Sequence, residues 1–290
     1  MNNIALFKTY TTLLDEVYKN AALSADLDGA PELVKAGANA NELIIPMLDM
    51  QGLGDYDKNA GYVNGDVTLT NETVKCNFDR GRMFNVDAMD DEETAGIAFG
   101  KVSGEFIRTK VVPELDAFRF ATYASKDGVT VTAENLKDVD PDGVKVALTN
   151  GTVAMDEAEV PFEGRILYIT PTLKALVDNA ETTSSKAIFE RFEKIVLVPQ
   201  TRFYSKIEQL DGKTGGKEAG GYTKAADAKD INFMIVHKGA PIQFQKHTVP
   251  KIINPEANQT SDGWKFGYRT VGIADVYENK LSGIYVSVAE

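Results

Sequence analysis

The stretch that decides the fold runs from Asp79 to Ala124, DRGRMFNVDAMDDEETAGIAFGKVSGEFIRTKVVPELDAFRFATYA. It reads as a charged strand leading into one long helix. Asp90 or Asp91 can cap the first turn, and Asp91, Glu92 and Glu93 stand where the positive end of the helix dipole favours negative charge. Ala95, Ala98, Phe99, Val102 and Phe106 keep the three-and-four spacing of one apolar face, while Lys101, Glu105 and Arg108 fall on a separate polar side. Over residues 91–112 such a helix is roughly 33 Å long at 1.5 Å rise per residue. Pro113 is expected to bend or end it before a second short amphipathic stretch, Glu114 to Tyr123.

A third face of this helix is glycine. Gly96, Gly100 and Gly104 recur every fourth residue, although each costs a helix interior about 1 kcal/mol relative to alanine. Two readings stand: another chain or a loop packs closely on this side, or the helix is weak and tolerated.

Working outward toward the N-terminus, residues 4–19 read as a short helix. A small-residue segment from Ala21 to Asn41 reads as an extended arm with little apolar content to bury. Leu43, Ile44 and Ile45 open a strand that Pro46 restricts to an edge or an irregular position. QGLGDYDKNAGYVNGDVTL (51–69) is rich in turn residues, and Val67 to Phe78 returns as a second strand. The pair predicts a long hairpin-like projection whose apolar residues change phase, from Val67 and Leu69 to Val74, Cys76 and Phe78. An isolated hairpin is marginal in water, so it should need a neighbouring surface, or else lie as a flap over its own domain. Asp79, Arg80, Arg82 and Asp87 at its base could pair with charges on another subunit, or simply be solvated.

Toward the C-terminus, Asp127 to Thr132 reads as a turn and short strand, and Pro141 as the start of a helix running unevenly to Val160, weakened by Asn150 and Gly151. An alternating pattern follows: strand Arg165 to Thr170, helix Pro171 to Ala180, helix Ser185 to Phe192, strand Lys194 to Val198, strand Asn232 to His237. Interleaved strands and helices predict a mixed α/β unit. Residues 211–230 read as a mobile polar loop. The closing stretch, 264–288, reads as two strands about a turn at Glu278–Asn279. There is no repeat with a period of about 20–50 residues.

The 290 residues, 43% of them hydrophobic, can bury one large core or two moderate ones. No run of about 18 apolar residues offers a membrane span. The N-terminal MNNIALFKTYTTLLDEVYKN, with Asp15 and Glu16, is unlike a secretion signal. The expected place of synthesis and action is a cytoplasm, and the single cysteine, Cys76, excludes an intrachain disulfide framework. A net charge of -12 argues against tight sequence-independent nucleic-acid binding, which draws on lysine and arginine contacts to phosphate. A container that holds nucleic acid without gripping it would suit an acidic wall, although a solubilising surface is the simpler reading of charge alone.

No catalytic or cofactor constellation emerges. Gly212 to Lys217 falls one residue short of a phosphate-binding loop, and Glu218 stands where a Ser or Thr belongs. Gly52 and Gly54 begin a dinucleotide pattern that lacks its third glycine. The carboxylates of 90–93 suit helix capping better than a cation, because adjacent helical side chains diverge. His237 and His247 have no metal-ligand spacing. Cys76 has no identifiable base nearby and reads as a small buried group. Trp264, with Tyr268 and Arg269, reads as an interface anchor or as a strand in its own core.

Taken in order, arm, long hairpin, long helix, α/β unit and returning strands make a recognisable series. The chain resembles the major capsid proteins of tailed phages with the Hong Kong 97-type fold. The resemblance rests on QGLGDYDKNAGY (51–62), DRGRMFNVDAMDDEET (79–94), GEFIRTKVVPELDAFRF (104–120), EVPFEGRILYITPT (159–172), KIVLVPQTRF (194–203) and DINFMIVHKGAP (230–241). It implies an α+β fold with an N-terminal arm (1–41), an extended loop (42–88), a peripheral domain on the spine helix (89–160) and an α/β axial domain (161–262). Strands from 263–290 would return to the peripheral domain.

It also implies a non-enzymatic virion protein, without cofactor or metal, assembled in the bacterial host cytoplasm into hexamers and pentamers of an icosahedral head. In that family the extended loop lies across an adjacent subunit. Tyr56, Lys58, Tyr62, Arg80, Arg82, Gly96, Gly100, Gly104 and Trp264 are the candidate intersubunit contacts. Implied partners are copies of the chain, a portal, a decoration protein, a separate scaffolding protein or none, and packaged double-stranded DNA held without specific binding. No membrane is implied. An encapsulin-like compartment shell is the alternative within the same fold, and an α/β enzyme the alternative outside it.

Overall fold

Arg165–Ile169 and Ile231–His237 are apolar along nearly their whole length, and strands of that kind are stable only between two covering layers. They form the centre of this protein. The computed structural model describes residues 22–29, 35–36, 42–56, 58, 61–62, 64–87, 104–136, 141–180 and 183–290. In chain order the strands are β1 (Lys35–Ala36), β2 (Glu42–Met50), β3 (Val67–Lys75), β4 (Phe78–Asp87), β5 (Thr130–Ala133), β6 (Arg165–Ile169), β7 (Lys194–Leu197), β8 (Ile207–Gln209), β9 (Tyr222–Lys224), β10 (Ile231–His237), β11 (Pro241–Ile253), β12 (Gly263–Val276) and β13 (Ile284–Val288). The α-helices are α1 (Val112–Ser125), α2 (Pro141–Glu157), α3 (Pro171–Asn179) and α4 (Thr183–Phe189).

The central sheet has the order β5-β13-β10-β6-β7. Strand β10 is antiparallel to both neighbours, whereas β5 lies parallel to β13 and β7 parallel to β6. Alternate residues serve opposite faces, as the two-residue strand period requires. Ile166, Tyr168, Met234, Val236 and Val286 pack with Phe120 and Tyr123 of α1. Leu167, Ile169, Phe233, Ile235 and Tyr285 pack with Val144, Leu148 and Met155 of α2 and with Leu173 and Val177 of α3. The sheet is thus closed on both sides.

Gly151 explains how α2 lies so close to the sheet. A Cβ there would come within 2.9 Å of Ile235 and 3.0 Å of Tyr285. The glycine read in the sequence as a weakness is a contact point, and α2 is unbroken across it.

A second sheet, β11-β12-β4, is built from long strands in antiparallel register. Its inner face holds Phe78, Phe266 and Tyr268 against Ile107, Val111, Val112 and Leu115. Phe106 meets Phe84 at 4.7 Å and Tyr268 at 6.4 Å between ring centres, both edge-on. A third sheet, β1-β2-β3, is the hairpin.

Several expectations need correction. The helix does not end at Pro113, because residues 104–125 are helical without a break. Ile107–Val111 forms a π turn in which the Val112 N–H bonds the Ile107 carbonyl. That wider turn sits where proline cannot continue the normal ladder and its ring would clash with the preceding turn. The caps at Asp90 and Asp91, the helix at 4–19, and Gly96 and Gly100 lie outside the described residues.

The segment 211–230 was expected to be a loop throughout. Instead it contains β9, which pairs with β8. Finally, the two C-terminal strands part company: β12 joins β4 in the second sheet, and β13 joins β10 in the central one. Residues 284–288 therefore share a sheet with β6 and β7, as does β5, while α2 packs on its face. Strand pairing in the central sheet thus joins segments from both sides of 160/161 and of 262/263.

Candidate functional site: the projecting hairpin

Strands β2 and β3 pair over their full lengths, from Glu42↔Lys75 to Met50↔Val67. At the far end Gln51 closes the turn: its N–H donates to Asp66 O at 3.3 Å, and its Oε1 accepts from Asp66 N at 3.2 Å. Beyond it, Tyr56 and Tyr62 bring their rings to 4.9 Å at a tilt of 57°. Lys58 is exposed at the same tip.

Among the described side chains, the apolar residues of the outer hairpin are uncovered. Met50, Val67 and Leu69 are each more than 60% exposed, Tyr62 is 88% exposed and Leu53 is fully exposed. Toward the base the situation reverses. Val74 is buried with Ile242 and Ile273, and Cys76 packs against the same group. The change of apolar phase noticed in the sequence is therefore the point where the ribbon leaves the body. Among the described residues none covers Val67 or Leu69, so the alternation that burial imposes at Val74 is not imposed there.

At that point the strand changes partner. Cys76 and Asn77 separate β3 from β4, and Asn77 bridges the gap with its side chain. Its Nδ2 donates to Ala274 O at 2.7 Å, and its Oδ1 accepts from Ala274 N at 3.1 Å. The amide thus stands in for a backbone peptide, and both polar groups of Ala274 are satisfied where the ladder would otherwise stop.

Arg80 and Arg82 anchor the base. Arg80 Nε donates to Glu114 at 2.8 Å, and its Nη2 donates to the carbonyls of Leu210 and Gly221 at 2.7 and 3.2 Å. Burial pushes the Glu114 carboxyl above the usual range, and Arg80 offsets part of that rise. Arg82 donates to the carbonyls of Ala219 and Glu218 at 2.9 and 3.1 Å. Gly220 lies at φ +66°, and a Cβ there would meet the Arg82 guanidinium at 2.7 Å. The β8–β9 ribbon is therefore moulded around the hairpin base. Both arginines, read as candidates for a neighbour's charges, are engaged within their own chain.

Of the other candidates, Trp264 pairs with Val86 across β12 and β4 and packs on the cluster beneath. A Cβ on Gly104 would meet nothing within 4 Å, so no close neighbour among the described residues requires that glycine. Asp79 and Arg269 form a bidentate exposed pair at 2.6 and 2.9 Å on the outer face of β4, an arrangement that adds little stability in water. Asn77 shapes the hairpin base and is a residue that sequence reasoning missed. Its only signal is an asparagine at a break between two apolar phases.

Chemistry elsewhere is sparse. Among the described residues no three His, Cys, Asp or Glu side chains converge as metal ligands, and no helix is long and apolar enough to cross a membrane. His237 Nδ1 accepts from Gly239 N at 3.2 Å, and burial lowers its pKa. A cavity between Phe78, Phe118 and Ile273 has about 10 Å³ of room, the size of one water.

No protein-family model matches the chain, and no curated protein matches it. Solved structures do. The structure from Gordonia phage Cozz aligns with a TM-score of 0.60 at 12% identity, over 93% of this chain and 86% of that one. The capsid structure of the cyanophage P-SCSP1u aligns with a TM-score of 0.56 at 11% identity, over 88% and 85%. A virus-like particle from Pyrococcus furiosus aligns with a TM-score of 0.58 at 13% identity, over 98% and 99%. The protein is a mixed helix-and-sheet chain with the fold of phage capsid structures.

Proposed function

We propose that this chain is the major capsid protein of a tailed phage, and that it assembles through its hairpin into the hexamers and pentamers of an icosahedral head around double-stranded DNA. The observation that carries the reading is a nine-residue strand pair whose outer apolar residues face water on a fold shared with capsid structures. Exposed apolar groups in a cluster mark an interaction surface. If Met50, Leu53, Tyr56, Tyr62, Val67 and Leu69 were covered by a neighbour, the gross gain would be about 9–18 kcal/mol at about 1.5–3 kcal/mol per side chain. Ordering and lost motion offset much of that. Modest contacts repeated around a shell allow errors to be corrected and still give a durable particle.

The role is structural and non-enzymatic, with assembly in the host cytoplasm and a portal, a decoration protein or a scaffolding protein as further partners. Gly100, on the expected glycine face, is proposed to receive a neighbour. Sedimentation and electron microscopy of the purified chain test the reading: capsomers, tubes or shells are expected as concentration rises. A strictly monomeric protein at every concentration and salt would overturn it. The encapsulin-like compartment shell is the second reading, kept because the chain also aligns over 98% of its length with a virus-like particle. Nuclease-protected DNA in particles from the native source separates the two.

A further inference from the structure

Residues 22–29 belong to the stretch that reads in the sequence as an arm with little to bury, yet they make an extensive buried polar network. Leu23 N and Ser24 N donate to the Asp116 carboxylate at 3.1 and 3.2 Å, and Ser24 Oγ donates to it at 2.6 Å. Arg202 also reaches Asp116, at 3.3 Å. Arg119 donates to Ser24 Oγ at 2.7 Å and to Asp28 at 3.2 Å. Gln243 Nε2 donates to Ser24 O and to Asp28 Oδ1, both at 2.7 Å, while the Gln243 backbone carbonyl accepts from Gly29 N at 3.0 Å. Lys194 of β7 holds Asp26 at 2.6 Å.

This segment therefore ties together α1, β11 and β7, which belong to different layers. Ser24, Asp116, Arg119 and Gln243 are each 2% exposed or less, so the socket is polar and its groups are satisfied largely by the segment itself. Leu27 is its one deeply buried apolar residue. An apolar socket must stay filled or collapse. A polar one can exchange its occupant for water, which replaces each hydrogen bond in kind.

We propose that residues 22–29 form a releasable strap. Closed, it fastens α1, β11 and β7 to one another through a single segment. Open, it exposes Asp116, Arg119 and Gln243 to water while the core that α1 shares with the central sheet stays packed. The benefit to assembly rests on the shell reading, in which one sequence must fit non-equivalent positions; the strap itself does not.

Hydrogen exchange on the full chain tests this, comparing the parent with Asp116→Asn and with Ser24→Ala. In the parent, amides of 23–29 should exchange at least tenfold faster than those of β10, through a local opening. Asp116→Asn should raise that rate a further tenfold or more, confined to the strap and its partners around Arg202 and Gln243. Should Asp116→Asn fail to fold, Ser24→Ala removes one hydroxyl and should give a smaller rise in the same amides. Strap amides that exchange only together with β10, in the parent and in Ser24→Ala, would overturn the proposal, as would an equal rise across α1 and β10. Microscopy of the same variants separates the two ideas. Local strap opening in a chain that forms no particles keeps the strap and overturns the shell reading.

Discussion

The hairpin and the central sheet are both made of β-strands, but they solve the burial problem in opposite ways. Strand β6 has five residues and all five are buried. Strand β3 has nine, and among its described side chains Val74 alone is buried. The sheet is complete because helices cover both faces, so its hydrophobic gain is realised within one chain. The hairpin keeps its backbone hydrogen bonds, while Met50, Val67 and Leu69 stay exposed. On the proposed reading, that uncovered apolar area is what a neighbouring subunit would bury.

The largest expected effect breaks the comparison at the hairpin tip. Replacing Gly54–Asp66 with a short Gly-Ser turn should abolish closed shells and leave folding intact, read by sedimentation and by circular dichroism. Normal assembly would make the tip ornamental, and outright unfolding would assign it to the core of its own chain. Ile235→Ala is the opposite experiment. Ile235 is fully buried, so the change should cost about 2–5 kcal/mol in a denaturant titration, whereas Leu53→Ser, at a fully exposed position, should stay within about 0.5 kcal/mol of the parent. Equal losses at the two positions would erase the distinction.

The joint between the two regions gives a smaller effect. Asn77→Ala leaves both polar groups of Ala274 without a partner and should cost about 1–3 kcal/mol. Hydrogen exchange should rise around 74–78 and remain unchanged in β10. Arg82→Ala should loosen the 211–221 turn with little effect on global stability; unchanged exchange there would show that the guanidinium does not shape the loop.

The smallest effect sits at the end of the central sheet. Burial and the nearby Lys280 and Arg165 lower the pKa of His237, and its Nδ1 accepts from Gly239 N, which requires the neutral ring. The unfolded chain therefore takes up the proton first. The contribution to stability is present above the ordinary histidine value of about 6.5 and is lost as pH falls through the lower folded value. Denaturation midpoints at pH 7.5 and 5.5, in the parent and in His237→Gln, should show part of the acid loss removed by the substitution.

Much of the α/β half is legible in the residue pattern alone. The runs around Arg165–Ile169, Pro171–Asn179, Lys194–Leu197 and Ile231–His237 match the observed elements within a residue or two; for the first and last the reason is that continuous burial leaves a continuous apolar run. Pro113 does not end the helix, because a π turn precedes it, and nothing in the local spacing announces one. The grip of Arg80 and Arg82 on the 210–221 carbonyls is illegible for another reason: backbone carbonyls carry no sequence signature. Of the candidate site, Tyr56, Lys58 and Tyr62 can be placed on a hairpin tip, while Asn77 cannot be singled out.

What the sequence by itself determined is the set of strands and helices, their apolar faces, and a hairpin too poor in apolar alternation to cover itself. Those properties are local, set by side-chain periodicity and backbone preference. Only the tertiary structure decided which strand pairs with which. It moved the continuous segment 67–87 from β2 to β12 at Asn77, sent β12 and β13 to different sheets, and clasped residues 22–29 between α1 and β11. Those choices depend on hydrogen-bond partners 90 and more residues away, which the neighbouring residues along the chain do not specify.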